Sequence, residues 1–233
     1  MKRFAIVVAA VVALYLAWGW AFPSGTLRYR LGFEVDVDGK KHTGSGVIEV
    51  SYRIPPSWLL PGNRVSARAK GEAIVVDIGT RGQLFVALQG EPIRESGAYS
   101  ASPEAMPLRE FNLAPSIGAL DEGTIRSLGR LSARADIPFA RLPLMVAFKD
   151  IDDPTSVVQV RPDDLSAVFG PGVRLMRATI ETTHGAVTTG IEKRLTWLKN
   201  QRGSLVKNPE LPYGHFARRL NEGSFSIGVP GVY

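Results

Sequence analysis

The stretch 26–50, TLRYRLGFEVDVDGKKHTGSGVIEV, decides the fold of this chain because its residues alternate over two runs joined by Asp38-Gly39. Apolar residues occupy the odd positions from Leu27 to Val37, and mostly charged residues occupy the even ones. This alternation is typical of a β-strand with one buried face and one wet face. The Asp-Gly pair favours a type I′ turn, which needs positive φ at both central positions. The stretch therefore predicts an antiparallel hairpin.

A two-residue loop fixes the register of this hairpin. Apolar residues then face one another on one side of the ribbon, and two opposite-charge pairs form on the other. Gly44 and Gly46 fall on the apolar face, where they leave room for larger neighbours or permit a bulge. The predicted pairs are Val37 with Lys40, Tyr29 with Ile48, Leu27 with Val50, Arg28 with Glu49, and Asp36 with Lys41.

The rest of the first half continues the same pattern. The runs 64–78 and 82–90, separated by GTRG, predict a second hairpin, so residues of about 26–90 are expected to form an antiparallel meander. Pro and Ser interrupt residues 91–115, which we interpret as an irregular connection with one short strand.

The second half, about 116–233, mixes strands and helices. Strands are predicted at 142–150, 155–161 and 173–184, and helices at 119–136, 162–169, 189–203 and 215–223. The helix at 189–203 has the strongest signal, because Thr189 and Glu192 form a capping box and Gly203 supplies a stop. We expect one α+β domain at 24–233, mainly antiparallel, with helices packed on the sheet, since no linker divides the chain.

The N-terminus predicts a membrane anchor. Lys2 and Arg3 precede an uncharged run at 4–22, which as a helix is about 28 Å long at roughly 1.5 Å per residue. We interpret residues 1–23 as a signal anchor with a transmembrane helix, and the lipid bilayer as its partner. A cleaved signal peptide is the alternative, because small residues near Gly19 suit a signal peptidase.

Charge placement predicts the orientation. Positive charge before the apolar run favours a cytoplasmic N-terminus, so residues 24–233 are expected in the periplasm of a bacterium, bound to the inner membrane, or free there if the signal is cleaved. The 28 Lys and Arg against 22 Asp and Glu give a net charge of +6, which suits anionic partners. The absence of cysteine excludes disulfides and thiolate chemistry.

One charge pattern is a candidate binding surface. Arg126, Arg130 and Arg134 recur at i, i+4 and i+8 of the predicted helix, although like charges at that spacing repel by about 0.2–0.5 kcal/mol per pair. The functional interpretation is a basic face that docks on anionic lipid or on an acidic partner. The alternative is an ordinary solvated helix face.

Catalytic and metal motifs are weak throughout. His42, His184 and His215 lack ligand spacing, and the acidic groups at 150–153 and 36–38 are better explained by turns. Residues 204–207 match SxxK, but the accompanying KTG-like element at 42–44 comes in the wrong order. Nucleotide motifs are missing. The sequence thus predicts no cofactor, no metal, no catalytic residue and no nucleic-acid partner.

A resemblance accompanies these patterns. The stretches DDPTSVVQVRPDDLSAVFGPGVRL and VTTGIEKRLTWLKN, within about 150–200, resemble a group of uncharacterised bacterial envelope proteins that carry an N-terminal hydrophobic segment and no assigned activity. The resemblance implies an envelope protein and carries over no functional residue.

Three functional hypotheses remain open at this stage. The first is a single-span membrane-anchored accessory, scaffold or binding module, with a possible envelope protein partner and without enzymatic activity. The alternatives are a periplasmic hydrolase acting on an envelope polymer, or a module that binds a small ligand or lipid.

Overall fold

A computed structural model of the chain describes residues 22–55, 65–90, 101–208, 210–212 and 215–229. Over these ranges the protein is a mainly antiparallel β-sheet domain with a few short helices, so the predicted α+β class is confirmed there. The predicted transmembrane helix lies outside the described residues, apart from Phe22.

The strands, numbered along the chain, are β1 (Ser24–Val37), β2 (Lys40–Arg53), β3 (Ser66–Glu72), β4 (Ile74–Asp77), β5 (Gln83–Val86), β6 (Arg134–Asp136), β7 (Met145–Phe148), β8 (Val157–Val160), β9 (Val173–Thr182) and β10 (Ser226–Ile227). The α-helices are α1 (Met106–Glu110), α2 (Glu122–Ser127), α3 (Ser166–Phe169) and α4 (Phe216–Arg219). Short 3₁₀ turns occupy Gly79–Arg81, Ile117–Ala119, Leu128–Arg130, Phe139–Arg141, Pro154–Ser156, Ile191–Lys193, Thr196–Lys199 and Glu222–Ser224.

Two antiparallel sheets organise the described part of the chain. One has six strands in the order β10-β3-β2-β1-β9-β6, and the other has four in the order β4-β5-β7-β8. The inward residues of β1 and β2 pack against the second sheet in one apolar core. The opposite face of the second sheet is covered by described residues between 191 and 229, whose apolar side chains form a second core with Phe85 and Val146. The second sheet is therefore buried on both faces, whereas the first keeps a wet face.

The predicted hairpin register is confirmed at every pair. β1 and β2 pair antiparallel from Ser24 opposite Arg53 to Val37 opposite Lys40. Asp38 and Gly39 have φ of 52° and 84°, the positive values that a type I′ turn requires. The local alternation and the turn residues were sufficient to define this element.

One of the two predicted ion pairs is confirmed and the other is wrong. Arg28 Nε lies 2.6 Å from Glu49 Oε2. Asp36 instead accepts a hydrogen bond from Arg174 Nε at 3.1 Å, because β9 lies along the other side of β1. Lys41 Nζ instead lies 2.8 Å from Oε1 of Glu34, a diagonal neighbour on β1.

The predicted meander is confirmed as one sheet only as far as β3, and the second predicted hairpin is confirmed where β4 pairs antiparallel with β5. The run 64–78 was predicted as one strand, and this is wrong. The chain passes at Ala73 from β3 in the first sheet to β4 in the second. Gly44 and Gly46 permit this switch: a Cβ on Gly44 would lie 2.4 Å from the carbonyl oxygen of Val75. The space that these glycines leave is filled by β4, and no bulge is needed.

The predicted helix at 189–203 is wrong. Two 3₁₀ turns replace it, at Ile191–Lys193 and Thr196–Lys199. Gly190, at φ 110°, occupies the N-cap position, and Thr189 caps nothing. The buried carboxylate of Glu72 accepts the amide hydrogen of Ile191 at 2.8 Å, which places a partner from a distant strand where the capping box was expected.

Candidate functional site

A polar cleft lies at the end of the six-stranded sheet where β1 begins. Its volume is about 330 Å³, and three parts of the chain line it: residues 26–28 with Glu49, the segment 128–132, and residues 182–184. Two cationic side chains line the cleft, Arg28 and Arg130. We call this cavity the proximal cleft, because it lies a few residues beyond the predicted anchor.

The segment that forms one wall is held against β1 by α2. Asp121 starts this helix, since its carboxylate accepts the amide hydrogen of Thr124 at 2.9 Å. The hydroxyl of Thr124, and then its amide, lower the pKa of Asp121 by hydrogen bonding to the carboxylate. Ile125 is buried, and a Cβ on Gly25 would lie 2.0 Å from the Ile125 carbonyl oxygen. The glycine thus allows α2 to contact the beginning of β1 directly.

The second wall is fixed by strand pairing at the sheet edge. The short strand β6 pairs with β9, and beyond it the amide of Ala133 donates to the Thr182 hydroxyl at 3.0 Å. The amide of Thr183 in turn donates to the Arg28 carbonyl at 2.9 Å. Segment 128–132 and the end of β9 are therefore both tied to the beginning of β1, where they enclose the cleft.

The predicted basic helix face is wrong as a structural unit. The helix ends at Ser127 and a 3₁₀ turn follows, so Arg134 lies on strand β6. Arg126 contacts Glu122 at 2.7 Å, and Arg134 lies 3.9 Å from Glu181. Arg130 alone of the three lines the proximal cleft. Leu131 is extended and begins the connection to β6, which is why the i, i+4 spacing does not continue.

A second, smaller cleft adjoins the first. It measures about 250 Å³ and is lined by Ser24–Thr26, Ser51–Arg53, Ser66 and Arg68. The two clefts share Thr26, whose hydroxyl lies 3.0 Å from that of Ser51. Burial, and then the charge of Glu104, raise the pKa of Tyr52, which is therefore a neutral hydrogen-bond donor in this wall.

Unpaired positive charge collects around these two clefts. Arg53, Arg68 and Arg130 have no carboxylate within 4.0 Å among the residues that the structure describes. We call these three side chains the basic end. Sequence analysis identified only Arg130 of the three, although the correct hairpin register already set Arg53 opposite Ser24.

At the other end of the hairpin, two cations face carboxylates. Arg81 contacts Asp38, and Lys41 lies 2.8 Å from Glu34. The charge of the wet sheet face is thus partly neutralised away from the basic end.

A third groove, of about 380 Å³, lies on the second sheet beside Asp77, Gln83, Phe148 and Lys149. The Phe148 ring meets Trp197 edge-on, with ring centroids 5.6 Å apart, so the floor of the groove belongs to the second core. Its two charged residues have opposite signs and do not converge on one point of positive or negative potential. We assign it no chemistry.

The other sequence candidates have structural roles. Within the described ranges, no group of three or more His, Asp or Glu side chains is arranged to hold a metal ion. His42 Nδ1 lies 2.8 Å from the Asp77 carbonyl oxygen, and His215 accepts the Ala217 amide at the start of α4. The hydroxyl of Ser204, in the SxxK match, donates to the backbone oxygen of Val206. His184 is different, since it lines the proximal cleft.

The carboxylates at 150–153 form a turn, as the sequence suggested. Asp150 accepts the amide of Asp152 at 3.0 Å, and Asp153 accepts the amide of Thr155 at 2.8 Å. These contacts explain the acidic cluster without a ligand.

Comparison of the chain with protein-family models, with curated proteins and with solved structures finds no match. In the ranges that the structure describes, no helix combines the length and the apolar character that crossing a membrane requires. Functional inference therefore rests on the residues themselves.

Proposed function

We propose that this protein is a membrane-anchored binding module of the bacterial envelope, with residues 4–22 in the inner membrane and residues 24–233 in the periplasm. In this proposal the basic end rests on anionic lipid head groups and orients the domain for an accessory or scaffold role. The observation that carries the proposal is that three unpaired arginines gather at the end of the sheet from which the predicted anchor leaves.

Chain reach supports this arrangement. Arg53 pairs with Ser24, only two residues after Phe22. Arg28 follows Phe22 by six residues, a reach of roughly 20 Å at about 3.3 Å per residue. If the apolar run spans the bilayer, the basic end lies at the head groups.

Electrostatic attraction also supports docking of the basic end on anionic lipid. A Lys or Arg near an anionic membrane surface contributes about 1 kcal/mol of attraction, so three unpaired arginines contribute about 3 kcal/mol, or roughly a hundredfold in the docking equilibrium. Of the carboxylates of the adjoining α2, Glu122 is paired with Arg126, whereas Asp121 caps the helix and keeps a negative charge that reduces this attraction.

The anchor is tested by intact-mass spectrometry of the chain extracted from membranes. We expect the full mass, with residues 1–22 attached, and resistance to release by alkaline carbonate. A mature chain that begins after residue 19 or 21 would contradict the anchored form.

The docking is tested separately with the full chain in nanodiscs. Because the sequence has no cysteine, a single probe can be placed at Ser66→Cys near the basic end or at Thr80→Cys near the far end of the hairpin. We expect paramagnetic lipids to quench only the Ser66 probe, more strongly in anionic than in zwitterionic bilayers.

A charge-matched pair of variants separates docking from net charge. The triple variant Arg53→Gln, Arg68→Gln, Arg130→Gln is expected to lose the anionic-lipid dependence of quenching. The control variant carries Lys149→Gln, Lys199→Gln and Lys207→Gln, exposed positions that lose the same three charges elsewhere. Equal loss in both variants, or quenching that is insensitive to lipid charge, refutes docking through the basic end.

A further inference from the structure

The proximal cleft has the composition of an anion site. Arg28 comes from β1 and Arg130 from the turn after α2, so two arginines on separate elements line the cavity. Thr183 adds a hydroxyl that already accepts the Gly185 amide at 3.1 Å, which directs its own proton toward other acceptors. Ser132 adds a further hydroxyl to the lining, whereas the hydroxyl of Thr182 is engaged with the Ala133 backbone.

The one carboxylate of the cleft orients an arginine. Glu49 Oε2 takes the Nε hydrogen of Arg28 at 2.6 Å, and an arginine has four further N–H donors in a planar fork. The pair is partly exposed, with side-chain exposures of 41% for Arg28 and 22% for Glu49. The pair leaves Arg130 as the net positive charge of the cavity, together with donors from Arg28.

We propose that the proximal cleft binds a phosphate ester, and that a phospholipid head group supplies it. A tetrahedral phosphate presents several oxygens at once, which matches guanidinium and hydroxyl donors arriving from three parts of the chain. A cavity of about 330 Å³ lies at the small end of ligand pockets, as a head group requires. The phosphate chemistry rests on the cleft alone, whereas the lipid source rests on the proposed membrane docking.

Gly129 provides a variant that closes the cleft. It lines the cavity, its φ does not require glycine, and the nearest atom to a Cβ built on it is the Thr26 carbonyl oxygen at 4.0 Å. Gly129→Phe therefore adds a ring at the wall of the cleft without a clash at its Cβ. Gly118 is the matched control, because a Cβ there also meets nothing within 4 Å and the residue lies outside the cleft.

The first measurement is calorimetric titration of the full chain in maltoside micelles, which contain no phosphate, with glycerol 3-phosphate, and with glycerol as the uncharged comparison. We expect saturable binding of the phosphate ester by the wild type and by Gly118→Phe, and none of glycerol. Gly129→Phe should abolish binding. Arg130→Gln should weaken it on the order of ten- to a hundredfold, the effect of losing a charged hydrogen bond, and it serves as a second test should the bulky variant misfold.

The outcomes separate this inference from the proposed function. If glycerol 3-phosphate does not bind the wild type, or binds Gly129→Phe as well as the wild type, the cleft is not the site and the inference fails, while quenching of the Ser66 probe still reports on docking. Lipid is the source if phosphatidylglycerol added to the micelles competes with the soluble ester. If it does not compete, the phosphate site stands and its lipid source is refuted.

Discussion

Replacing Gly44 with alanine tests how the two sheets are held together. Gly44 lies on the inner face of β2, where β4 crosses it. A Cβ at this position would lie 2.4 Å from the Val75 carbonyl oxygen and 2.8 Å from a methyl group of Val76. Because one of these atoms belongs to the backbone, a change of rotamer cannot relieve the overlap. The sheets themselves must move apart.

Gly46, two residues further along the same face, is the comparison. Its Cβ would lie 2.9 Å from Ile74 Cγ1, a side-chain atom, and the next atom is 3.7 Å away. Overpacking in a well-packed core costs about 1–3 kcal/mol, and sometimes more. We expect about 3 kcal/mol for Gly44→Ala and about 1 kcal/mol for Gly46→Ala, which the Ile74 side chain can accommodate.

The assay is urea and thermal unfolding followed by circular dichroism, with Gly118→Ala as the reference in open space. For a chain of this size about 1 kcal/mol corresponds to roughly 2–4 °C in Tm, so Gly44→Ala should lower Tm by about 6–12 °C. Alanine also restricts the unfolded chain, which stabilises by about 0.4–1 kcal/mol and acts in every variant. A Gly44→Ala protein as stable as Gly46→Ala would refute the close approach of β4.

Two further predictions concern buried polar groups. Burial raises the pKa of the Glu72 carboxyl, although the Ile191 amide donates a hydrogen bond to it. The folded state therefore holds this proton more tightly than the unfolded chain does. As the pH rises from the unfolded pKa through the folded pKa, the free energy of unfolding falls. Glu72→Gln should therefore flatten the pH dependence of urea unfolding in mildly acidic solution, and a variant curve parallel to the wild type would contradict this. Tyr52→Phe removes the hydrogen bond that the phenol donates to the Glu104 carbonyl at 2.6 Å, and should lower the free energy of unfolding by about 1–3 kcal/mol; an unchanged midpoint would show that this bond does not hold residues 101–105 on the sheet.

The parts of the fold that the sequence predicted are those decided by neighbours along the chain. The β1–β2 register follows from alternation and from the φ requirement at Asp38-Gly39 alone. The turn at 150–153 and the short helix that ends at Gly170 are local in the same sense. Each of these elements is determined by residues close together along the chain, so it could be predicted from the sequence.

The failures occurred where a distant residue outweighed local propensity. Thr189 and Glu192 form a good capping pattern, but Glu72, 119 positions earlier, takes the Ile191 amide. The strand predicted at 64–78 changes sheets because Gly44 on another strand leaves space for it. The sequences of 189–203 and 64–78 give no sign of these distant contacts, so the local pattern predicted the wrong element in both.

The candidate site divides in the same way. Arg53 could have been assigned to the end of the sheet, because the hairpin register sets it opposite Ser24. The position of Arg130 in the wall of the proximal cleft could not have been predicted. It depends on the pairing of β6 with β9 and on the hydrogen bond from Ala133 to Thr182. The i, i+4 spacing singled out Arg130 as part of a helix, but α2 ends before that residue.

The distribution of ion pairs bears on how the proposed anchored domain would stand. On the wet face, Arg177 contacts Asp136 at 2.7 Å and Arg30 lies 3.6 Å from Glu181, so this face would bring carboxylates to an anionic bilayer together with its cations. Like charges repel there, and separating the pairs would cost the contacts that they already make. Within the part of the chain that the structure describes, the arginines of the basic end have no carboxylate within 4.0 Å. An upright domain, with β1 rising from the membrane, is therefore favoured over one lying on its wet face.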